Sequence, residues 1–362
     1  MNEKEFCLSF SVAPGVGPKR FLDLISYFGS AEKAWKGSRE DFERAGVKGK
    51  IYDVFDKFRQ SFDSSSYTKK LKEKDVNYVD CLSNFYPQKL KNIPNYPIVL
   101  YYRGNVDCLI DDVNKIAVVG TRKMTSYGRE VTEKLTEELV LNGFVIVSGL
   151  ALGVDACAHR TAIENNGKTV AVLGCGADMC FPSENKFLYE KIIGDFGLVV
   201  SEYPLGVTPS KGTFPARNRI ISALSEAVLV TEAGEDSGSL ITAEEARKMG
   251  KKVFAVPGPI TSELSCGTST LIKSGAKLVQ SGRDILEEFD IVVGFSVKKT
   301  DVEKMDLTGE QKAVVKALQN EDLGVDVLAK KTGIAVAALI IIISELEMKG
   351  VLRYDGGVLH LI

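Results

Sequence analysis

The sequence predicts an α/β protein with a doubly wound, mainly parallel sheet at its centre. One observation is the stretch 116–153, where a short apolar run, an amphipathic helical pattern and a second apolar run follow one another as a βαβ unit. A second is the continuation of this alternation to about residue 256. A third is that glycine, proline or small polar residues follow each apolar run, as they do where buried strands end in turns.

Residues 1–80 predict a small N-terminal helical domain, which precedes a sheet domain predicted at 81–295. Glycine turns at 14–20 and 45–49 stand before amphipathic helical patterns. Two interpretations are open. One is a helix-hairpin-helix (SAM-like) pair, whose exposed backbone N–H groups hold a phosphate; the other, which we slightly prefer, is a plain helical bundle. An extended connector at 92–104 follows, because residues that precede proline avoid the helical region.

Within the sheet domain, apolar runs predict six strands, and the segments between them predict five helices. The strands are expected at 116–119, 144–147, 169–173, 198–201, 227–231 and 253–256. The helices are expected at 127–141, 154–164, 186–195, 215–224 and 240–249. Right-handed crossovers place the turns that follow parallel strands at one edge of the sheet, where ligands bind in this class of fold.

Two glycine turns at that edge suggest a site for an anion. Gly120, Thr121 and Arg122 follow the first strand, and Ser148 and Gly149 follow the second. Glycine lets backbone N–H groups approach a phosphate, a helix N-terminus adds a partial positive charge, and arginine offers a bidentate fork. Taken alone, these residues fit a simple chain reversal with a solvated arginine equally well.

Two later turns carry donors of the same kind. Arg217, Asn218 and Arg219 lie near the start of a helix that opens with proline. The hydroxyl-rich start of the next helix contributes Ser237, Gly238, Ser239 and Thr242. For either motif alone, ordinary helix capping is the simpler explanation. Several donor-rich turns at one edge favour a shared anionic ligand.

Other classes of site lack support in the sequence. There is no dinucleotide fingerprint and no Gly-x-x-x-x-Gly-Lys-Ser/Thr loop, which argues against NAD binding and ATP hydrolysis. Seven scattered cysteines and two histidines offer no zinc site and fit a reducing compartment. His159 and Asp155, four residues apart, are interpreted as structural rather than as a base and its orienting group. We therefore expect no catalytic residue, no metal and no cofactor.

The overall charge of the chain is close to neutral. With a net charge of −2 and a pI near 6.0, any nucleic-acid partner must be held by a local basic patch. The longest apolar run, 335–343, is too short to cross a bilayer, and the first residues lack the pattern of a signal peptide. We expect a cytoplasmic protein without membrane contact.

A series of motifs follows in a specific order along the sheet domain. It comprises Val119-Gly120-Thr121-Arg122 and the segments 148–160, 172–176, 201–204, 214–221, 237–242 and 256–258. The series resembles that of the DNA-processing protein A family, also called DprA or Smf, over about residues 85–290. The resemblance implies an extended Rossmann-like fold that binds single-stranded DNA, forms a homodimer and loads the RecA recombinase onto DNA in natural transformation. The family is not known as an enzyme.

The resemblance also implies roles for individual residues. It assigns DNA contacts to Gly120, Thr121, Arg122, Ser148, Gly149, Arg217, Asn218, Arg219, Ser237, Gly238, Ser239 and Thr242. Lys186, after a Pro-x-x-Asn turn, is the further basic contact we expect. Leu152 stands where many family members have arginine, which removes one positive charge. Phe181 and Phe187 are candidates for base stacking, although we expect both to be buried in the core.

A charged linker at 296–306 and a separate C-terminal module at 307–362 complete the predicted organisation. Thr308 and Gln311 predict a capping box, helical stretches follow, and a β-hairpin ends the module. This pattern resembles the winged-helix module of many family members. The expected recognition helix, 335–349, carries few bases, which favours packing or protein contact over sequence recognition.

A second class of function stays open. The same edge of the sheet would also suit a nucleotide- or phosphate-binding enzyme or sensor, because a fold does not determine a function. Such an enzyme needs a well-placed carboxylate, and Glu202 and Glu232 at strand ends are the candidates.

Overall fold

The computed structural model describes residues 1–110, 114–289, 307–318, 322–348, 351–355 and 357–361. The chain divides into two compact units, Met1–Ile285 and Leu286–Ile362. The larger unit contains the N-terminal helices and a sheet, and the smaller one contains a second set of helices and a hairpin. The linker predicted at 296–306 lies outside the described residues.

Six helices open the larger unit and pack around a cluster of aromatic rings. They are α1 (Glu3–Val12), α2 (Pro18–Phe28), α3 (Ala31–Lys36), α4 (Arg39–Arg44), α5 (Lys50–Ser61) and α6 (Ser64–Glu73). The Phe10 ring stacks on Phe55 at 5.5 Å between centroids and meets Trp35 edge-on at 5.0 Å. The buried residues of these helices belong to the same hydrophobic core as several sheet strands, so burial of apolar surface stabilises both together.

A sheet forms the centre of the larger unit. Its described strands are β1 (Asn77–Asp80), β2 (Val99–Gly104), β3 (Lys115–Val119), β4 (Val145–Ser148), β5 (Thr169–Val172), β6 (Gly197–Ser201), β7 (Ala227–Val230), β8 (Lys252–Ala255) and β9 (Lys277–Leu278). Their order is β1-β2-β6-β5-β4-β3-β7-β8-β9. β2 is antiparallel to both of its neighbours, and the other pairs are parallel, which confirms the mainly parallel sheet. The expected connector contains β2, because Leu100 and Tyr101 are fully buried in the core.

Helices connect the parallel strands, and one more helix follows the last of these strands. They are α7 (Ser126–Leu141), α8 (Val154–Glu164), α9 (Lys186–Lys191), α10 (Thr213–Leu224), α11 (Gly238–Lys248), α12 (Cys266–Lys273) and α13 (Gly282–Leu286). The chain progresses from β3 outward to β6, and α10 then returns it to β7 on the other side of β3. The strand order therefore reverses between β3 and β7, and such a reversal opens a crevice at the carboxyl ends of the strands.

The smaller unit contains α14 (Gly309–Leu318), α15 (Val325–Thr332), α16 (Val336–Met348) and a hairpin of β10 (Leu352–Asp355) and β11 (Val358–Leu361). Thr308 N donates to Gln311 Oε1 at 3.1 Å, and Gln311 N donates to Thr308 Oγ1 at 3.3 Å, which confirms the capping box. Leu339 and Leu346 of α16 are fully buried, whereas Ile341 on the same helix is exposed. The helix thus packs through one side only.

Among the described helices, none alone is long and apolar enough to cross a membrane. The bent pair Val325–Thr332 and Val336–Glu347 meets the requirement of length and composition only when its two helices, at 106° to each other, are taken together.

Candidate nucleic-acid interface

An open pocket of about 960 Å³ lies where the strand order reverses. The turns after β3, β7 and β8 and the N-terminal parts of α10 and α11 line it. The predicted contacts in its lining are Gly120, Thr121, Arg122, Arg217, Asn218, Ser237, Gly238, Ser239 and Thr242. The fold therefore brings together nine of the thirteen residues proposed from the sequence.

The turn after β3 is fixed by close backbone contacts that require glycine. Thr121 N donates to Glu232 O at 2.7 Å, and a Cβ on Gly120 would lie 2.6 Å from that same oxygen. Gly153 has a φ of +77°, and a Cβ there would lie 2.3 Å from Thr121 O. The packed backbone holds the turn in place and leaves the side chain of Arg122 exposed in the pocket lining.

Arg217 is buried at the floor of the pocket, with 5% of its surface exposed. Its Nη1 donates to Gly149 O at 2.6 Å and to Val172 O, and its Nε donates to Asn218 Oδ1 at 3.2 Å. A Cβ on Gly149 would lie 2.4 Å from the guanidinium, so only glycine leaves room for it. Ser148 is fully buried, and its hydroxyl donates to a carbonyl of β3. Gly149 thus holds the Arg217 guanidinium in place, and Ser148 ties the same turn to β3.

Asp155 provides a buried negative charge close to Arg217. Its Oδ2 accepts hydrogen bonds from Gly149 N at 3.0 Å and Ala151 N at 3.4 Å. Burial raises the pKa of Asp155, and the Arg217 guanidinium opposes that rise. Burial lowers the pKa of Arg217, and the Asp155 carboxylate opposes that fall. Each charge offsets part of the desolvation cost of the other.

The start of α11 forms another part of the pocket wall. Ser237 is the N-cap, and its hydroxyl accepts a hydrogen bond from Ser239 N at 3.4 Å. Asn218 Nδ2 donates to Gly238 O at 3.2 Å, which links α11 to α10. The capping role considered from the sequence is therefore present. The same helix start lines the pocket, where its partial positive charge favours an anion.

Four of the predicted contacts lie outside the pocket lining: Ser148 and Gly149, which support Arg217, and Arg219 and Lys186. Arg219 Nη2 forms a short ion pair with Glu202 Oε2. Burial raises the pKa of Glu202, and the Arg219 guanidinium opposes the rise. Lys186 is exposed at the start of α9. A DNA contact by either residue stays a prediction.

Among the lining residues that sequence reasoning did not assign as contacts are two cations and an aromatic ring: Lys123, Lys211 and Phe214. The Arg122 guanidinium lies over the Phe214 ring, 5.1 Å from its centroid. Lys211, just before α10, and Phe214, in the first turn of that helix, were both visible in the sequence. Neither residue type is diagnostic until its neighbours in space are known.

The expectation that Phe181 and Phe187 are core residues is wrong. Their side chains are 45% and 76% exposed, respectively. The Phe181 ring lies 5.8 Å from that of Phe214. In this short segment Leu188 and Tyr189 of α9 supply the buried apolar surface instead, and too few residues are present for a periodic pattern to identify the buried side.

The charges on the pocket lining are divided between its sides. The exposed basic residues Arg122, Lys123 and Lys211 belong to the turn after β3 and the segment before α10, whereas the exposed acidic residues Glu235, Asp236 and Glu263 follow β7 and β8. Asp155, also in the lining, is buried, and its charge is offset by Arg217. β7 and β8 lie on one side of β3, and β4 and β5 lie on the other. A phosphate is therefore favoured at the half of the pocket away from β7 and β8.

Glu232, a carboxylate considered for the enzyme alternative, caps a helix. Its Oε2 accepts from Thr125 N at 2.8 Å, and its Oε1 accepts from Thr125 Oγ1 at 2.6 Å, at the N-cap of α7. A Cβ on Gly128 would lie 2.2 Å from Oε2, so the helix packs directly on the carboxylate. With 3% of its surface exposed, Glu232 has little access to a ligand.

We expect Glu232→Ala to lower the free energy of unfolding by about 1–2 kcal/mol, because the start of α7 loses its acceptor and its compensating negative charge. Urea unfolding followed by circular dichroism measures the change. Glu137→Ala, an exposed acid on the same helix, is the control and should change stability by less than about 0.5 kcal/mol. Unchanged stability of Glu232→Ala would contradict the capping role.

His159 is buried and does not pair with Asp155. Its Nδ1 lies 2.6 Å from Thr169 Oγ1, whose own proton is donated to Ile146 O at 2.8 Å. Burial, with a contribution from Arg217, lowers the pKa of His159 to about 3. The ring is therefore neutral near pH 7, as a structural role requires. Within the described residues, no group of three or more His, Cys, Asp or Glu side chains is placed to hold a metal.

Comparison with known families yields two matches along the chain. Residues 77–290 match the model of DNA recombination-mediator protein A, and residues 298–357 match that of the DprA winged helix domain. Protein Smf of Synechocystis sp. is 32% identical over 393 aligned residues, which cover 98% of this chain and 98% of that protein. The two matches account for the sheet and for the C-terminal module.

Solved structures of DNA processing protein A are also similar to this chain. The X-ray structure of DNA processing protein A from Streptococcus pneumoniae has a TM-score of 0.70 and 38% identity, and the match covers 80% of this chain and 99% of that one. DNA processing protein A from Helicobacter pylori, solved to explain its single-stranded DNA binding mode, has a TM-score of 0.54 and 32% identity, covering 59% of this chain and 95% of that one.

Proposed function

Because the chain belongs to the DNA recombination-mediator protein A family, we propose that it binds single-stranded DNA, without sequence specificity, in the pocket at the reversal of strand order. The contacts we assign are the pocket residues predicted from the sequence together with Lys123, Lys211 and Phe214. The Helicobacter pylori relative, described by its single-stranded DNA binding mode, supports this assignment.

The observation that carries the proposal is the combination of exposed cations with an aromatic ring in one open pocket. Arg122, Lys123 and Lys211 suit the phosphates of a DNA backbone. The Arg122 guanidinium lies over the half-buried Phe214 ring, and the two together offer a surface on which a base stacks. In a duplex the base faces are already stacked on one another, so this combination favours a single strand.

We further propose that the bound strand is passed to the RecA recombinase during natural transformation or another route of DNA uptake and recombination. The protein would act as a homodimer in the cytoplasm, and as a mediator rather than an enzyme. The enzyme alternative is less well supported, because Glu232 caps α7 and Glu202 is paired with Arg219. Neither carboxylate is free to activate a water molecule.

The test is the binding of a fluorescent oligo-dT and of a duplex of equal length at the same ionic strength. We expect the single strand to bind at least about tenfold more tightly, since only it exposes bases for stacking, at about 1–3 kcal/mol per base. A second assay follows RecA filament growth on DNA coated with single-strand-binding protein, where we expect a shorter lag. Equal affinity for the duplex, or competition by mononucleotides at the same concentration as the oligonucleotide, would point instead to a nucleotide- or phosphate-binding enzyme or sensor.

A further inference from the structure

A segment with two exposed aromatic residues lies against the pocket wall. It runs from Phe181 to Phe187 and is anchored by Asn185, which is buried. Asn185 Nδ2 donates to Leu150 O at 2.9 Å and to Ala151 O at 3.2 Å. Ala151 itself lines the pocket. The two phenylalanines therefore flank a turn whose position is fixed relative to the pocket.

Both aromatic side chains have accessible surface. The Phe181 ring is 45% exposed and lies 5.8 Å from the Phe214 ring in the pocket, at 37° to it. The Phe187 ring is 76% exposed, and Lys191 Nζ lies 5.6 Å from its centroid. Rings presented in this way next to a nucleic-acid pocket match the arrangement with which proteins hold single strands, by stacking successive bases on aromatic side chains.

The charges of this segment and of the remainder of α9 balance. Lys186 and Lys191 are exposed, and so are Glu184 and Glu190. A DNA backbone therefore gains little net attraction here, in contrast to the basic side of the pocket. Any affinity that the segment contributes must come from stacking and should depend little on salt.

We propose that Phe181 and Phe187 form a second nucleobase subsite, the aromatic extension, which stacks the bases of a strand where it leaves the pocket past Phe214. The subsite rests on the proposed binding of single-stranded DNA and adds to it. Phosphates are held in the pocket by cations, whereas bases beyond the pocket are held by rings in a neutral environment. Oligonucleotides too short to extend beyond the pocket do not reach it.

The experiment measures the affinity of oligo-dT in a series of lengths and salt concentrations. The variants are Phe187→Leu and Phe181→Leu/Phe187→Leu, with Tyr27→Leu as the control because Tyr27 is also about half exposed, at 46%, but lies on α2. We expect the shortest oligonucleotides to bind all variants equally. Longer ones should bind the double variant about tenfold more weakly, with an unchanged dependence on salt. Thermal unfolding checks that each variant is folded.

Phe187→Trp provides a second readout that a purely structural role would not change. Tryptophan retains stacking, so its affinity for long oligonucleotides should match that of the wild type, and its fluorescence should be quenched only by oligonucleotides long enough to reach it. Equal losses at all lengths, a reduced salt dependence, or no loss in the double variant would overturn the subsite. If single strands bind the wild type no better than duplex, the proposed function fails as well. If single strands are preferred but the leucine variants bind oligo-dT as tightly as the wild type, only the subsite fails.

Discussion

Simultaneous replacement of Arg122, Lys123 and Lys211 by glutamine should weaken binding of single-stranded DNA about 100-fold at 0.1 M salt. All three cations are in the lining of the pocket. Each phosphate that a cation neutralises contributes about −0.7 to the slope of log K against log salt for a single strand. Loss of three such contacts therefore reduces the slope by about 2 and removes a factor of about five per contact at that salt concentration.

The matched control for this triple variant is Lys69→Gln/Lys70→Gln/Lys72→Gln. These lysines are exposed on α6, outside the pocket, and the variant changes the net charge by the same amount. Its affinity and salt slope should stay close to those of the wild type, because only local contacts release bound counterions. If both triple variants lose affinity equally, the pocket is not the DNA site, and attraction by the whole protein accounts for binding.

Arg217→Met should lower the free energy of unfolding by about 3–5 kcal/mol, because it leaves Asp155 as a buried charge without its partner. It also removes the donor shared by the carbonyl groups of Gly149 and Val172. Urea unfolding measures the loss. The double variant Arg217→Met/Asp155→Asn removes both charges and should recover part of the stability, so the two changes are not additive.

The dependence of this loss on pH gives an independent check. Burial raises the pKa of Asp155, and in Arg217→Met the guanidinium that opposes the rise is absent. The folded variant then binds a proton that the unfolded chain releases, so its stability should fall as pH rises above the pKa of an unfolded aspartate. The deficit relative to wild type should accordingly shrink toward acidic pH. A deficit that does not change with pH would argue against a charged Asp155–Arg217 pair.

Much of the fold was predictable because it depends on local patterns. The apolar runs and the glycine turns after them identify β3 to β8, since a buried strand must be apolar along its length and its end must turn. The sequence predicted a connector where β2 lies, because the prolines shortly before it indicate an irregular extended segment. Its pairing with β1 and β6 joins segments that are distant in sequence, and no local pattern reveals it. Its burial is a property of the assembled sheet.

The candidate site was predictable only in part, because it too depends on how distant segments pack together. The sequence shows which residues can bind an anion, and nine of them do meet in the pocket. It does not show which side of a helix each residue occupies in the assembled fold. Arg217 and Arg219 are two positions apart on α10, yet one forms the pocket floor and the other pairs with Glu202, because residues two apart on a helix face different directions.

By itself, then, the sequence determined the alternation of strands and helices, the donor-rich turns and the family to which their order belongs. Those features are encoded by the residues next to one another in the chain. Tertiary structure alone decided that Glu232 caps α7, that Lys211 and Phe214 join Arg122, and that Phe181 and Phe187 are exposed. Each of these depends on segments distant in sequence, and the packing that brings them together is not expressed in any local pattern.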